Sequence, residues 1–206
     1  GNPGARRGSQ AHRASVGGST VERRTLIKLG LASLTAGLGP RSWAAQSAPA
    51  ELAAVQRLES GWRELRAPDL TPVEPRPPLD KSTEAWRGSL PGDAYAVLFE
   101  EDTERPGSSP LNEEHRAGLF LCRACDLPLF TSAMKYESGT GWPSFFTSIP
   151  GHLATKQDFK LIWPRTEYHC VKCGGHQGHV FDDGPAPTGK RWCNNGVALR
   201  FVPKGA

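Results

Sequence analysis

The sequence has few cysteines, and it has no net positive charge outside its first 50 residues. Five cysteines in 206 residues are too few for the dense disulfide frameworks of small secreted domains. Residues 1–50 carry seven lysines and arginines and one acidic residue, which leaves 18 basic and 20 acidic residues in the rest of the chain. A nucleic-acid-binding domain normally keeps a positive surface that neutralises phosphates, so this charge balance argues against nucleic acid as a partner.

The chain also lacks an apolar run long enough for a convincing membrane span. The apolar stretch from Leu26 to Leu38 is interrupted by Lys28 and by small residues, whereas a spanning helix needs about 20 apolar residues. A shorter apolar stretch of this kind, flanked by charge and by small residues, is typical of a signal peptide.

Residues 21–50 have the three-part pattern of an export signal. Paired Arg23 and Arg24 come first, the apolar stretch follows, and small residues surround Ala44, where a signal peptidase could cut. The arginine pair, followed by Thr, two apolar residues and Lys28, resembles a twin-arginine signal, which implies recognition of the precursor by export machinery. We therefore expect a bacterial protein that works in the periplasm or elsewhere outside the cytoplasm. An uncleaved anchor, or an apolar helix without a targeting role, is the alternative.

The segments on either side of this signal differ in composition. Residues 1–20 contain almost no large apolar side chains, which predicts disorder. From Glu51, apolar residues recur every three or four positions as far as Leu65, which predicts a helix packed on the domain or on a partner. The proline-rich segment that follows predicts an extended linker. We therefore predict a helix and linker over residues 51–79 and the main folded domain over residues 80–206.

The main domain begins with helical patterns and continues with strand patterns. Two short helices are predicted before residue 105. Beyond Arg116, short runs such as GLFLC, FKLIW, GHVFDD and VALRFV are separated by Gly and Pro, which is typical of strands. The sequence therefore predicts a mainly β, antiparallel domain with short helices at its N-terminal side.

Four of the five cysteines form two Cys-x-x-Cys pairs, CRAC at Cys122 and Cys125 and CVKC at Cys170 and Cys173. Such pairs are typical of tetrahedral zinc sites, because each pair brings two thiolates within reach of one ion. The separation between the pairs is longer than in a compact zinc ribbon, so zinc would join distant parts of a larger domain. We predict one structural Zn²⁺ per chain, with two disulfides or a redox-active pair as the alternatives.

The fifth cysteine, Cys193, has no partner two positions away, and polar residues surround it. Arg191 and Asn195 share its face if the segment is a regular strand, and a nearby positive charge favours a reactive thiolate. A buried, inert cysteine is the alternative. His176 and His179 could transfer protons, because four cysteines already complete a zinc shell, although metal binding or a surface position is also open.

The segment YESGTGWPSFF places Trp142 among phenylalanines behind two glycines. It is either a core loop or an aromatic wall that suits an uncharged methyl thioether.

Five motifs in order, TERPGSS, CRACDLPLF, ESGTGWPSF, RTEYHCVKCGGHQGHVFDDGPAPTG and KRWCNNGVALRF, resemble the methionine-R-sulfoxide reductase family of the B type. The resemblance extends from about Lys81 to Pro203. It implies the β fold of that family, with zinc on the four paired cysteines and Cys193 as nucleophile. It further implies proton transfer organised by His176, His179 and Asn195, packing of Trp142 on the substrate methyl group, and a thiolate favoured by Arg191.

The implied reaction reduces methionine R-sulfoxide, free or in an oxidised protein, and leaves Cys193 as a sulfenic acid. Many family members carry a second, resolving cysteine in the SGxGWPSF loop, where this chain has Thr140. The resemblance therefore implies a one-cysteine enzyme that is reset by a thioredoxin-like protein or a small thiol and repairs oxidised proteins.

Two other classes of protein share some of these features. A zinc-ribbon binding module would have the paired cysteines but not the negative charge beyond residue 50. A thiol-disulfide oxidoreductase would need metal-free cysteine pairs, typically in a βαβ context that the sequence does not show.

Overall fold

The computed structural model describes residues 49–71, 73–159 and 164–205. The disorder predicted for residues 1–20, and all but the last two residues of the export signal predicted for 21–50, lie outside the described residues. In the part of the chain that is described, no helix is both long and apolar enough to cross a lipid bilayer.

Short helices come first along the described chain, and short strands follow. The α-helices are α1 (Pro49–Ser60), which continues into a 3-10 turn (Gly61–Leu65), and α2 (Gly92–Glu100). The strands are β1 (Gly118–Cys122), β2 (Pro128–Thr131), β3 (Lys135–Tyr136), β4 (Ser144–Phe145), β5 (Leu153–Asp158), β6 (Arg165–Cys170), β7 (His176–Phe181), β8 (Arg191–Asn194) and β9 (Leu199–Pro203). These strands pair antiparallel in two sheets. The predicted mainly β, antiparallel fold with short N-terminal helices is confirmed.

The smaller sheet has the order β2-β1-β9 and forms the centre of the core. The middle strand β1, sequence GLFLC, is a continuous apolar run, and all five of its residues are buried, as expected for a strand without a solvent face. Phe120 of β1 and Phe130 of β2 pack on Phe145 of β4 at ring-centroid distances of 5.0 Å and 4.0 Å. These aromatic contacts join the smaller sheet to the larger one.

Met134 is the one methionine of the chain, and it is fully buried in this core. It ends a 3-10 turn, and its sulfur accepts a hydrogen bond from the backbone N–H of Thr131 at 3.4 Å. A flexible thioether fills irregular core space well, and here it also provides an acceptor for a buried backbone donor.

The larger sheet has the order β3-β4-β8-β7-β6-β5 and brings the polar motifs together. Because β8 lies between β4 and β7, Cys193 stands directly opposite Ser144 on one side and His179 on the other. Directly opposed residues place their side chains on the same face, with Cβ atoms about 5 Å apart. The strand pairing therefore gathers a thiol, a hydroxyl and an imidazole on one face of the sheet.

Strands β7 and β8 approach each other closely at Gly178. A Cβ atom at this position would lie 2.0 Å from the carbonyl oxygen of Cys193, far inside van der Waals contact. Any residue other than glycine would push the strands apart. The glycine between the two histidines of the GGHQGH motif is therefore required by the packing of β7 against β8.

The helix predicted from residue 51 belongs to the folded core. α1 begins at Pro49, Val55 and Trp62 are buried, and the Trp62 ring lies edge-on to the ring of His152 at 5.5 Å. The proline-rich segment that follows adds partly buried leucine and valine side chains to the same core. Packing therefore extends upstream of the predicted start of the main domain.

The run FKLIW, predicted as a strand at residues 159–163, is not a strand where it is described. β5 ends at Asp158, and Phe159 lies beyond it with 72% of its surface exposed; residues 160–163 lie outside the described residues. The upstream sequence LATKQD forms β5. β5 is an edge strand, and edge strands tolerate polar residues because solvent covers one side.

Candidate active site

The two Cys-x-x-Cys pairs occupy turns of the same form, one after β1 and one after β6. In each turn, the backbone N–H four residues after the first cysteine donates to that cysteine's carbonyl oxygen at 2.9 Å. The donor residue, Asp126 in one turn and Gly174 in the other, has left-handed backbone with φ of 58° and 76°. The two strands deliver these turns to one place, so cysteines that are distant in sequence meet.

The four paired cysteines form a cluster in which all sulfurs lie within 4.8 Å of one another. The Sγ atoms of Cys122 and Cys173, and those of Cys125 and Cys170, are 3.6 Å apart. Four sulfurs about 2.3 Å from one ion in a tetrahedron would be about 3.8 Å apart. Hydrogen bonds from the neighbouring thiols lower the pKa of Cys170, whereas the same neighbours and burial raise the pKa of Cys122, so without an ion the cluster favours one thiolate over several. These four residues could hold one metal ion.

Cys193 is not a member of this cluster but lines a separate cavity of about 270 Å³ on the larger sheet. Five of the six residues predicted for catalysis or substrate binding line this cavity, namely Cys193, His179, Asn195, Trp142 and Arg191. The sixth, His176, is buried and is not in the lining. The structure therefore brings together one metal-free thiol, one imidazole, an amide, an aromatic ring and a guanidinium.

Opposing effects act on the thiol of Cys193. Burial raises its pKa above the ordinary value, and this is the largest effect. The positive charge of Arg191 lowers the pKa, as do hydrogen bonds from the side chains of Thr140, Arg191 and Ser144. Because burial prevails, the protonated thiol dominates near neutral pH, and these neighbours increase the thiolate fraction that remains.

Contacts on two sides hold Arg191 in place. Its Nε and one terminal nitrogen donate to the two carboxylate oxygens of Asp183 at 2.8 Å and 2.9 Å, a bidentate pair with fixed geometry. Its guanidinium carbon also lies 4.3 Å from the centre of the Phe181 ring. Arg191 is therefore a fixed positive charge on the same strand face as Cys193.

Each histidine of the motif contacts a buried carboxylate. Nε2 of His179 lies 2.8 Å from Oδ2 of Asp158, an oxygen that also accepts from Arg165 at 2.7 Å. Nδ1 of His176 lies 2.9 Å from Oε1 of Glu167, although the pair does not meet hydrogen-bond geometry. The two imidazole rings are 5.4 Å apart. Burial lowers the pKa of His179, and the bond to Asp158 opposes this effect, so His179 is neutral at pH 7.

Glu104 connects Trp142 and Asn195. Its carbonyl oxygen accepts from Nε1 of Trp142 at 3.2 Å, and its backbone N–H donates to Oδ1 of Asn195 at 3.1 Å. Its carboxylate accepts the backbone N–H groups of Gly196 and Val197 at 2.6 Å and 2.9 Å. Burial raises the pKa of Glu104, and these two backbone bonds oppose the rise. One residue thus orients two walls of the cavity.

Comparison with known proteins covers the part of the chain that forms this site. Residues 90–203 match the SelR domain family. The chain is 48% identical to a protein named peptide methionine sulfoxide reductase MsrB from Bradyrhizobium diazoefficiens over 125 residues, which are 60% of this chain and 90% of that protein. Proteins of the same name from Methanosarcina barkeri and Pseudomonas putida are 47% and 46% identical, over 60% and 61% of this chain and 87% and 96% of theirs.

The chain belongs to the methionine-R-sulfoxide reductase B family.

Sequence reasoning missed three residues that support the site of this methionine-R-sulfoxide reductase B chain. Glu104 could have been noticed, because it stands in the motif TERPGSS. The motif alone does not reveal which residues Glu104 contacts. Asp158 and Glu167 stand in β5 and β6 and reach the histidines only through the pairing of these strands with each other and with β7. Their role depends on strand register, which the sequence does not display.

The contact between Asp158 and His179 leads to a prediction about pKa. Asp158→Asn keeps an acceptor oxygen for Nε2–H but removes the negative charge that favours the charged imidazole, so the pKa of His179 should fall further below its ordinary value. Histidine NMR titration of the metal-loaded protein measures this change. As a control, Asp182→Asn removes an exposed carboxylate that pairs with Lys190 and should leave His179 unchanged. An unchanged or higher pKa in Asp158→Asn would contradict the assigned contact.

Proposed function

We propose that the protein reduces the R epimer of methionine sulfoxide to methionine, in oxidised proteins or as the free amino acid, and so repairs oxidative damage. The observation that supports this most directly is the meeting of Cys193 with His179 and Trp142 in one cavity, in a chain whose relatives are named peptide methionine sulfoxide reductase. The activity is that of a peptide-methionine (R)-S-oxide reductase, an oxidoreductase.

Cys193 is the nucleophile. Its thiolate attacks the sulfoxide sulfur, the sulfur–oxygen bond breaks, and the oxygen passes with one proton to the cysteine sulfur. The products are methionine and a sulfenic acid on Cys193, so the cysteine supplies the two electrons of the reduction. Arg191 favours the attacking thiolate through its fixed charge.

His179 moves the proton that the leaving oxygen needs. Its Nε2 is committed to Asp158, so His179 first takes up a proton at Nδ1 and then passes that proton to the leaving oxygen. The carboxylate of Asp158 stabilises the imidazolium whenever His179 is protonated. His176 lies between Glu167 and the ring of His179, and it acts on the substrate through His179. Asn195 donates one amide proton to the carbonyl oxygen of Gln177 at 3.1 Å, which leaves its second amide proton for the substrate oxygen.

Trp142 binds the methyl group of the substrate. The bond from its indole nitrogen to Glu104 fixes the ring, and an aromatic face provides an apolar surface for a methyl group bonded to sulfur.

The four-cysteine cluster holds one structural Zn²⁺ per chain. The sulfur spacing fits a tetrahedral site, four thiolates leave no open position for water or substrate, and the side-chain amide of Gln177 donates to Cys122 Sγ at 3.4 Å. Bound zinc would stabilise the fold by joining the turn after β1 to the turn after β6. It takes no part in the transfer of oxygen.

The sulfenic acid of Cys193 is reset by an external thiol. The other four cysteines of the chain are members of the cluster, and the cavity is lined by Thr140, at the position where the sequence motif of the family implies a second cysteine in many members. A thioredoxin-like protein or a small thiol therefore supplies two thiols, which become a disulfide while Cys193 returns to the thiol and water is released.

We further propose that the protein is exported through its twin-arginine-like signal and works outside the cytoplasm. The support is the pattern of Arg23, Arg24 and the apolar stretch that follows. A folded-protein export route would suit a domain whose metal is bound before export.

The first test concerns the nucleophile. Cys193→Ser should reduce turnover of methionine R-sulfoxide at least about 1,000-fold, because a serine hydroxyl in this cavity is not ionised and is a poor nucleophile. Turnover is measured with the two sulfoxide epimers separately, with thioredoxin and with a small dithiol. In the wild type, one turnover without reductant should give a sulfenic acid on Cys193 that a dimedone-type reagent traps, and no intramolecular disulfide. Substantial activity in the serine variant would show the assignment to be wrong.

The second test concerns the metal. Cys122→Ser should lose zinc and unfold at a markedly lower temperature, because the fourth thiolate is removed from a closed site. Elemental analysis and thermal unfolding measure both effects. Cys193→Ser is the matched control and should keep about one zinc per chain. Active wild-type protein with less than about half an equivalent of zinc would contradict a structural site.

The third test concerns export. Replacement of Arg23 and Arg24 by Lys should keep the precursor in the cytoplasm, because the paired guanidinium groups carry the signal. Cell fractionation and N-terminal sequencing measure the result, and the wild-type protein should begin directly after Ala44. The control replaces Arg6 and Arg7 by Lys, an equal charge-conserving change outside the signal. Equal export of all three proteins would argue against a twin-arginine signal.

A further inference from the structure

Three hydroxyl groups lie in a row beside Cys193. The Oγ atom of Ser138 is 2.8 Å from Oγ1 of Thr140 and 2.8 Å from Oγ of Ser144. Ser144 is fully buried and stands directly opposite Cys193 in the pairing of β4 with β8. Thr140, at the other end of the row, lines the same cavity as Cys193. The row therefore begins behind the thiol and ends in the cavity.

The loop that carries Thr140 is held in a defined shape. Gly139 and Gly141 on either side have left-handed φ angles of 71° and 90°, which glycine adopts without strain. The backbone N–H of Gly107 donates to the carbonyl oxygen of Gly141 at 2.7 Å, and a Cβ at Gly141 would lie 2.9 Å from that nitrogen. The position of Thr140 is thus set by backbone contacts and not by its own hydroxyl.

The row has fewer protons than acceptors. Three hydroxyls carry three protons, but four hydrogen bonds would each need one. Two of these bonds lie within the row, and a third joins Ser144 to the carbonyl oxygen of Trp142 at 3.1 Å. The fourth would join Thr140 to the sulfur of Cys193. When Ser144 donates to Trp142, Ser138 must donate to Ser144 and Thr140 to Ser138. Thr140 then offers only lone pairs to Cys193, which suits a protonated thiol.

The same row can point the other way. If Ser144 donates to Ser138 and Ser138 to Thr140, the proton of Thr140 is free for the sulfur. This arrangement gives up the bond to the carbonyl of Trp142, which is the longest of the three contacts in the row. A hydrogen bond to an ionised acceptor is roughly twice as strong as one to a neutral acceptor, so ionisation of Cys193 favours the reversal.

We propose that Thr140, Ser138 and Ser144 form a reversible hydrogen-bond relay in which Thr140 donates to the sulfur of Cys193 when that sulfur is a thiolate. Thr140 is the donor at the cavity end of the row. Ser144 also contacts the sulfur, but in this arrangement it gives its proton to Ser138, so the two serines act as positioning residues for the hydroxyl of Thr140. The relay deepens the proposed reductase function and rests on Cys193 as its nucleophile. In the relay, the threonine of the SGTGW loop donates a hydrogen bond to the reactive sulfur.

The surrounding charges do not replace this donor. The ionisable side chains that face Cys193 or act on it electrostatically are Arg191 on β8, His179 on β7, Arg165 and Tyr168 on β6, and Tyr136 on β3. Each of them is unchanged by substitutions in the relay. A change in the ionisation of Cys193 in relay variants therefore reports on the hydroxyls.

The experiment measures the ionisation of Cys193 without any sulfoxide. Full-length, zinc-loaded protein is alkylated with iodoacetamide over a range of pH, and the modified Cys193 peptide is quantified by mass spectrometry, so the rate follows the thiolate fraction. Thr140→Val removes the hydroxyl and keeps the shape. It should raise the pKa of Cys193 by about one unit, which lowers the thiolate fraction about tenfold at any pH below that pKa. Thr140→Ser should stay within about threefold of the wild type.

Ser138→Ala separates a relay from a lone hydroxyl. It leaves Thr140 in place but removes the acceptor that competes for its proton, so ionisation of Cys193 no longer gives up the bond to the carbonyl of Trp142 and the thiolate fraction should rise, by about threefold. Equal zinc content and thermal midpoints confirm that the variants are folded. If the pKa of Cys193 is unchanged in Thr140→Val, the proposal is wrong. If that pKa changes in Thr140→Val but not in Ser138→Ala, Thr140 acts alone and the relay is wrong.

These outcomes are independent of the reductase assignment. A wild-type protein that fails to reduce methionine sulfoxide, but whose Cys193 shows the expected series of pKa changes, would contradict the proposed function and support the relay. A wild-type protein that reduces methionine sulfoxide, but in which Thr140→Val leaves the pKa of Cys193 unchanged, would support the proposed function and contradict the relay.

Discussion

The close approach of β7 to β8 at Gly178 is the contact on which the rest of the site depends. Any side chain there would meet the carbonyl oxygen of Cys193, and a wider gap would remove His179 from its place opposite the thiol. The other members of the site attach to this pair of strands. Asp158 reaches His179 from β5 through β6, and Ser144 meets Cys193 from β4. A single backbone contact therefore sets the spacing between the sulfur of Cys193 and the imidazole of His179.

Two kinds of cysteine environment coexist in this chain, and their surroundings explain the difference. The four cluster thiols face one another, so a shared ion, if one is bound, is what would stabilise all four as thiolates. Cys193 faces oxygen and nitrogen donors and a guanidinium, which favour charge on sulfur while leaving it open to the cavity. Burial alone would make both environments inert. The identity of the neighbours decides which sulfur can react.

Much of this arrangement could be predicted from the sequence, and the parts that could not be have a common cause. Paired cysteines, the glycine-rich aromatic loop and the isolated Cys193 are local patterns: the pairs meet in one cluster, and Trp142 of the loop lines the same cavity as Cys193. His176 looked equivalent to His179, but it lies behind its neighbour and outside the cavity lining. Glu104 reaches the site through its backbone as much as through its carboxylate. Such contacts arise from strand order and register, which have no local signature.

The burial of Met134 has a consequence for a protein that works among oxidants. The chain contains a single thioether, and that sulfur is closed off from solvent and already accepts the N–H of Thr131. An oxygen atom added to it would need space in a filled core and would displace that bond. The molecule thus presents no methionine of its own to compete for its cavity, and it has no exposed thioether through which the damage it repairs in other proteins could accumulate in itself.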